Sequence, residues 1–477
     1  MRETLALIAA ILVFSPVASA AQDARATLAD VAKAMGATTM NSIQYTGSGV
    51  SFSVGQSATA GMAWPRFNVK SYARSINYET GSLRQEQVVS RADAQPRGGG
   101  LPTTGEARQN VQLSGEYAWT LMGDAPAPAP RFLADLQLQL WTSPHGVIKA
   151  AMANNATVQG RTIAFTVPGK LRVKATIDRA NLVEKVEAVY ANAVLGDTPF
   201  EVSYADYRDF GGVKFPMRIR QSAGGFPSLD LTVGEVRPNA PVDIAVPDPV
   251  RQAGNPYAKV TTQQAAEGVW YLTGMSHHSV AIEMKDYLIV VEAPMNDQRA
   301  LPVIAEIRKL VPNKPIRYVI VSHHHFDHTG GLRAFAGEGV TVIAHESGRA
   351  LLERALAAPA TLSPDHLAKS GKKGVVEGVR DKRVLTDGTR TVEIHHIAGN
   401  LHADDLLMVY LPKERLLIQA DAYTPPPPTA PAMAMVNPNS VNLADNIAKL
   451  NLAVDRLLPL HGRIVPLADL HKAIGRN

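Results

Sequence analysis

Seven residues in the second half of the chain have the side-chain types, and the clustering, that metal-assisted chemistry needs. Four lie in one stretch, Val321-Ser-His-His-His-Phe-Asp-His-Thr-Gly-Gly331, where His323, His325, Asp327 and His328 form the pattern His-x-His-x-Asp-His. The preceding Ile316-Arg-Tyr-Val-Ile-Val-Ser322 is apolar and β-branched and reads as a buried strand. Thr329-Gly-Gly-Leu-Arg-Ala-Phe335 reads as the opening of a helix. The histidines therefore stand at the carboxyl end of a strand, where open α/β sheets place their sites. In extended backbone residues i and i+2 point the same way, so His323 and His325 can converge on one ion. Asp327 and His328, past the bend, can face a second, and His324 should point away. Three later positions extend the set, each beside a strand. His402 lies in Ala398-Gly-Asn-Leu-His-Ala-Asp-Asp405, Asp421 ends Arg415-Leu-Leu-Ile-Gln-Ala-Asp421, and His461 ends Leu457-Leu-Pro-Leu-His461.

This ordered set resembles the metallo-β-lactamase superfamily over about residues 255–477. The resemblance implies that His323, His325 and His402 bind one metal and that Asp327, His328 and His461 bind the other, with Asp421 bridging. Imidazoles and carboxylates suit two Zn2+ ions, and the carboxylate-rich half also suits iron or manganese. Two ions about 3.5–4 Å apart can hold a hydroxide at neutral pH and stabilise the oxyanion it generates. The expectation is a dinuclear metal hydrolase acting on the ester, lactone, thioester or lactam carbonyl of a small molecule, with Asp327 orienting the nucleophile.

Departures from the family pattern narrow the class. Asp421 stands where one group of true β-lactamases has cysteine, and this chain has no cysteine. Aspartate there is shared by thioesterases of the glyoxalase II kind and by lactonases. Tyr423 is a candidate donor to a substrate carbonyl. Glu292, at a strand end where most relatives have aspartate, is a candidate to orient a ligand from behind. His277 and His278, in Gly274-Met-Ser-His-His-Ser279, lie on a loop that lines the substrate cleft in relatives.

The positioning elements divide the chain in two. Residues 24–245 open with an amphipathic helix and continue as alternating, antiparallel-type strands, with helices near 132–141 and 147–154. This part contains one of the fourteen histidines, His145. Its strand order and the turn Tyr204 to Pro216 resemble the curved sheets of periplasmic lipoprotein-carrier proteins, which implies apolar-ligand binding. A Pro-rich seam, Pro238 to Pro249, marks the boundary. From 255 to 477 strands meander and then alternate with helices, which suits an αββα sandwich. The fold class is α+β: that sandwich preceded by a mostly β accessory domain.

Composition bounds the rest. The 477 residues are 45% hydrophobic and 19% charged, with net charge +5, an ordinary globular balance. The basic stretch Lys369 to Arg383 lacks aromatics, reads as solvated surface, and gives no reason to expect a nucleic-acid partner. Arg2, the apolar run Leu5 to Phe14 and Ala18-Ser-Ala20 form a secretory signal over residues 1–20. No later stretch reaches the roughly 18 apolar residues of a membrane span. Export to a periplasm is the expected localisation. The competing class is a non-catalytic metal- or apolar-ligand-binding carrier of the periplasm.

Overall fold

The computed structural model describes residues 16–167, 171–428 and 435–476. Most of the signal segment lies outside them; the first helix runs Pro16–Met35.

The N-terminal domain is one thirteen-stranded antiparallel sheet. The chain meanders outward from Ser42–Phe52 to the edge strand Ala125–Pro128. It then crosses through the helices Leu133–Trp141 and Gly146–Ala153, and meanders back from Thr157–Gln159 to Phe226–Pro238. That last strand pairs antiparallel with Ser42–Phe52, Tyr45 facing Val236. Strict alternation of buried and exposed residues along Leu171–Ile177 shows one face turned inward. Against that face lie Leu28, Val31 and Met35 of the first helix, Leu136, Leu138 and Leu140 of the second, and Val147 and Ile148 of the third. Each fully buried aliphatic side chain there contributes about 1.5–3 kcal/mol. The inward face of the sheet is thus packed with helices.

The Pro-rich seam is tied down, with Val242, Ile244 and Val250 packing on Trp119. Two further sheets follow. The seven-stranded one runs in the order Thr261–Ala266, Val269–Thr273, Ser279–Glu283, Leu288–Val291, Ile316–Ile320, Thr341–His345, Val376–Val379. Its first half is antiparallel; from Leu288–Val291 onward the pairs are parallel, with helices in the crossovers. The six-stranded sheet runs from Lys382–Thr386 through Thr391–His396, Leu407–Leu411, Leu416–Gln419 and Arg456–Pro459 to Val465–Pro466.

Three cores bind these layers. Ile282, Ile289 and Ile320 of one sheet meet Ile394, Val409 and Ile418 of the other. Helix Asp297–Leu310 covers the outer face of the first sheet through Val303 and Ile307. Helix Pro438–Lys449 covers the second through Leu443 and Ile447. The result is the expected αββα sandwich. The basic stretch Lys369–Arg383 holds more structure than a solvated surface. Val376 and Val379 are buried in a strand paired with Val342–His345, and Glu377 between them is half-buried and pairs with Arg383.

Candidate metal centre

Each candidate ligand sits at the end of a strand or on a loop joining two. Chain order in the parallel region brings these ends to one rim of the sandwich, although the residues are far apart in sequence. His323 to His328 follow Ile316–Ile320, Asp421 follows Leu416–Gln419, His461 follows Arg456–Pro459, and His402 precedes Leu407–Leu411. Glu292 (φ +80°) and Asp421 (φ +57°) both occupy the left-handed region, which side-chain-bearing residues rarely adopt. Strain of this kind gathers at working sites.

Ligand atoms collect in three overlapping groups: His323, His325 and His402; His277, Asp327, His328 and His461; and His323, His328 and Asp421. Within the first, Nε2 of His323 lies 2.9 Å from Nδ1 of His325 and 3.2 Å from Nε2 of His402. In the second, Nε2 of His461 lies 3.2 Å from Nε2 of His328. Asp421 stands between the groups. Its Oδ2 is 2.8 Å from His328 Nε2 and 3.4 Å from His461 Nε2, and its Oδ1 is 3.8 Å from His402 Nε2.

Outer hydrogen bonds fix which nitrogen faces inward. His328 donates from Nδ1 to Glu292 Oε2 at 2.8 Å, and His461 donates from Nδ1 to the Ser276 carbonyl at 2.7 Å. Ser322 Oγ donates to Glu292 at 2.5 Å and accepts from His323 Nδ1 at 2.9 Å. His325 donates from Nε2 to the Ser57 carbonyl at 2.8 Å. With outer protons committed, the inner nitrogens turn lone pairs toward one another, an arrangement that calls for a cation between them. The shielded Asp421 Oδ2, which has no aligned hydrogen-bond donor, makes the same demand. The residues present therefore fit bound metal.

Protonation follows the same logic. Burial, then the neighbouring imidazoles, hold His323 and His325 well below the ordinary histidine range, and His402 is lowered as well. These are neutral, ligand-ready rings. Burial alone would raise the carboxyls of Asp327 and Asp421. The surrounding histidines outweigh it and hold both well below the usual carboxylate range. His328 goes the other way: burial opposes its charge, but Asp327, Asp421 and Glu292 raise it well above the ordinary value. The positive charge that these carboxylates attract at His328 Nε2 is the charge a metal ion would supply there.

Asp327 is gripped on both oxygens, by Gln56 Nε2 at 2.7 Å on Oδ1 and by His277 Nε2 at 3.0 Å on Oδ2. His277, expected on the cleft loop, is thus part of the cluster. Burial pushes His277 down to about 4. His278 is not brought in; its Nε2 donates to the Gly462 carbonyl and its ring stands edge-on to Tyr271. Tyr423 also stays out. It is 4% exposed and packs in the core beneath helix Pro438–Lys449, its backbone tied to Gln419. His324 points away as expected, to Asp405 at 2.7 Å and Ser57 Oγ at 3.0 Å. Behind it a cavity of about 300 Å³ opens between the domains, lined by Trp64, Phe226 and Phe326.

Gln56 and Ser57 are the residues that reading the sequence missed. They lie on the loop between Ser42–Phe52 and Arg66–Asn77, in the domain without ligands. The available signal was the run Gly98-Gly-Gly100, since consecutive glycines mark close backbone approach. A Cβ on Gly99 would meet Gln56 Oε1 at 1.9 Å and His325 Cε1 at 3.0 Å.

An αββα sandwich with two adjoining sets of imidazole and carboxylate ligands at one rim defines a metallo-hydrolase class. Residues 272–431 match the family model described as the metallo-beta-lactamase superfamily. Among characterised proteins, the chain is 27% identical over 167 residues to the 2,4-dinitroanisole O-demethylase subunit alpha of a Nocardioides strain, covering 34% of this chain and 46% of that one. It is 28% identical over 222 residues to the linear primary-alkylsulfatase of a Pseudomonas strain, covering 39% and 41%. The chain thus spans less than half the length of either relative. Among solved structures, a metallo-beta-lactamase from Pontibacter korlensis is 16% identical, with TM-score 0.36, covering 46% of this chain and 98% of that one.

Proposed function

We propose that this superfamily hydrolase holds two divalent ions, zinc foremost, and cleaves an ester-type bond in a small molecule. The observation that carries the reading is the pair of ligand groups meeting at Asp421, with lone pairs converging in each. Two ions bound there would activate water at neutral pH and polarise the bond under attack. His323, His325 and His402 would hold one ion and Asp327, His328 and His461 the other, with Asp421 shared. Asp327, kept ionised and fixed by two donors, would accept the hydrogen bond that aims the nucleophile. His277 stands beside it and donates to its Oδ2. No serine or cysteine nucleophile is required.

Candidate substrates are esters, lactones, thioesters and lactams. The names of the two characterised relatives add sulfate esters and aryl methyl ethers. We also propose export, on the charged, apolar and Ala-x-Ala pattern of residues 1–20, to be checked by cell fractionation. The second reading, a metal- or apolar-ligand carrier, rests on the thirteen-stranded N-terminal sheet and is weakened by the helices packed on its inward face. One experiment separates the two: metal content by mass spectrometry alongside turnover on that substrate panel, with and without chelator. Two bound ions with chelator-sensitive turnover support the hydrolase. Full occupancy without turnover on the panel favours the carrier.

A further inference from the structure

The metal centre is built from one domain but closed by another. From the N-terminal domain, the loop after Ser42–Phe52 reaches the His-x-His-x-Asp-His motif at four successive residues. The Gly55 carbonyl accepts from Phe326 N at 3.2 Å, Gln56 Nε2 donates to Asp327, the Ser57 carbonyl accepts from His325 Nε2, and Ser57 Oγ meets His324. Asp404 N then donates to the Ala58 carbonyl at 2.8 Å. A second loop holds the first in place. Gly99 N donates to the Gln56 carbonyl at 3.0 Å, and Gly98 N donates to Leu401 O at 2.8 Å, next to His402. Arg91 fixes this second loop by donating to the carbonyls of Gly98, Gly99 and Gly100 at 3.0, 2.8 and 2.9 Å. Arg97 pairs with Asp404 across the domain boundary.

Two of these contacts act on ligands. A histidine binds metal through one ring nitrogen only when the other carries the proton, and an acceptor on that proton sets the tautomer. For His325 the acceptor is the Ser57 carbonyl. A carboxylate ligand likewise needs its free oxygen held by a donor; for Asp327 one such donor is Gln56. Such partners commonly belong to the same domain as the ligands, as Glu292 and Ser276 do here. Gln56 and Ser57 come from a domain that contributes no ligand.

We propose that the N-terminal domain is a working part of the metal centre, with Gln56 a positioning residue for Asp327 and the Ser57 carbonyl the tautomer lock for His325. This rests on the two-ion reading given above. Metal affinity then depends on the accessory domain, most sharply for the ion held by Asp327.

The test is a zinc titration of metal-stripped, full-length protein in competition with a chromogenic chelator, for wild type, Gln56→Met and Gly99→Ala. Gln56→Met keeps the volume and removes the donor. Gly99→Ala leaves Gln56 in the sequence but displaces its amide. Loss of an outer partner typically costs about 10–100-fold in metal affinity. The expected result is about a tenfold or greater loss at one of two sites in Gln56→Met, the other unchanged, with an unaltered melting temperature for the metal-free protein. Gly99→Ala, an independent route should Gln56→Met fold poorly, is expected to weaken that site and, because its Cβ would also meet His325 Cε1 at 3.0 Å, the site that holds His325. Affinities within twofold of wild type in both variants, or equal loss at both sites in Gln56→Met, would overturn the proposal. Wild-type protein binding fewer than two ions would sink the two-ion reading and this inference with it, and that failure is read from the wild type alone.

Discussion

Glu292 Oε2 lies 2.8 Å from His328 Nδ1, and both side chains are almost wholly shut off from solvent. The same oxygen accepts from Ser322 Oγ, which in turn accepts from His323 Nδ1. One carboxylate therefore orients a ligand of each proposed ion. Glu292→Gln keeps one acceptor oxygen: placed toward His328 Nδ1 and Ser322 Oγ, it sets the amide NH2 against the Ser322 N–H that donates to Oε1 at 3.3 Å, and the reverse orientation leaves both His328 Nδ1 and Ser322 Oγ without an acceptor. The expected outcome is a fall of about 10–100-fold in metal affinity, read by chelator competition, with the fold retained by circular dichroism.

Ions bound at the proposed centre would satisfy the crowded inner nitrogens and the shielded Asp421 oxygen and so stabilise this domain. A ligand present at about a thousand times its Kd stabilises the folded state by about 4 kcal/mol. Zinc is therefore expected to raise the melting temperature of the C-terminal domain strongly, and chelation to reverse the shift. His325→Ala and Asp327→Ala should blunt that rise and reduce turnover to background while the N-terminal sheet stays folded. Turnover surviving both substitutions would contradict the proposed centre.

Tyr423 is buried beneath helix Pro438–Lys449, outside the ligand groups. Tyr423→Phe should leave kcat/KM within about twofold of wild type. A loss of several tens-fold, measured on whichever substrate is turned over, would restore Tyr423 as a substrate donor.

His145 supplies a pH prediction for the N-terminal domain. Burial holds it at about 4, below its ordinary 6.5, with Nε2 donating to the Met35 carbonyl at 3.1 Å and the ring stacked on Phe215. Between those pH values the unfolded chain binds a proton that the folded chain refuses, so stability falls as pH drops from about 6.5 toward 4. The loss is on the order of 3 kcal/mol by the lower end. His145→Gln keeps a donor for Met35 and removes the titration. Its denaturant midpoint is expected to vary less with pH than that of the wild type over this range.

The sequence alone nominated the candidate ligands, because the chemistry of a metal centre is written in residue type and local spacing. His323, His325, Asp327 and His328 share one strand end, and His402, Asp421 and His461 each adjoin a strand whose apolar pattern is plain. Those strands also dictated the αββα sandwich. Val376–Val379 escaped because two buried valines among charges do not make a readable period. Only the tertiary structure decided that His277 joins Asp327 while His278 turns to Gly462, since neighbours on a loop carry no signal of direction. Tyr423 was placed the same way: proximity in sequence to Asp421 says nothing about which side of the backbone its ring occupies. The largest part left to tertiary structure was the grip of Gln56 and Ser57 on the motif. Those contacts join positions 271 and 268 residues apart, and they exist because one domain docks on the other, which no local pattern encodes.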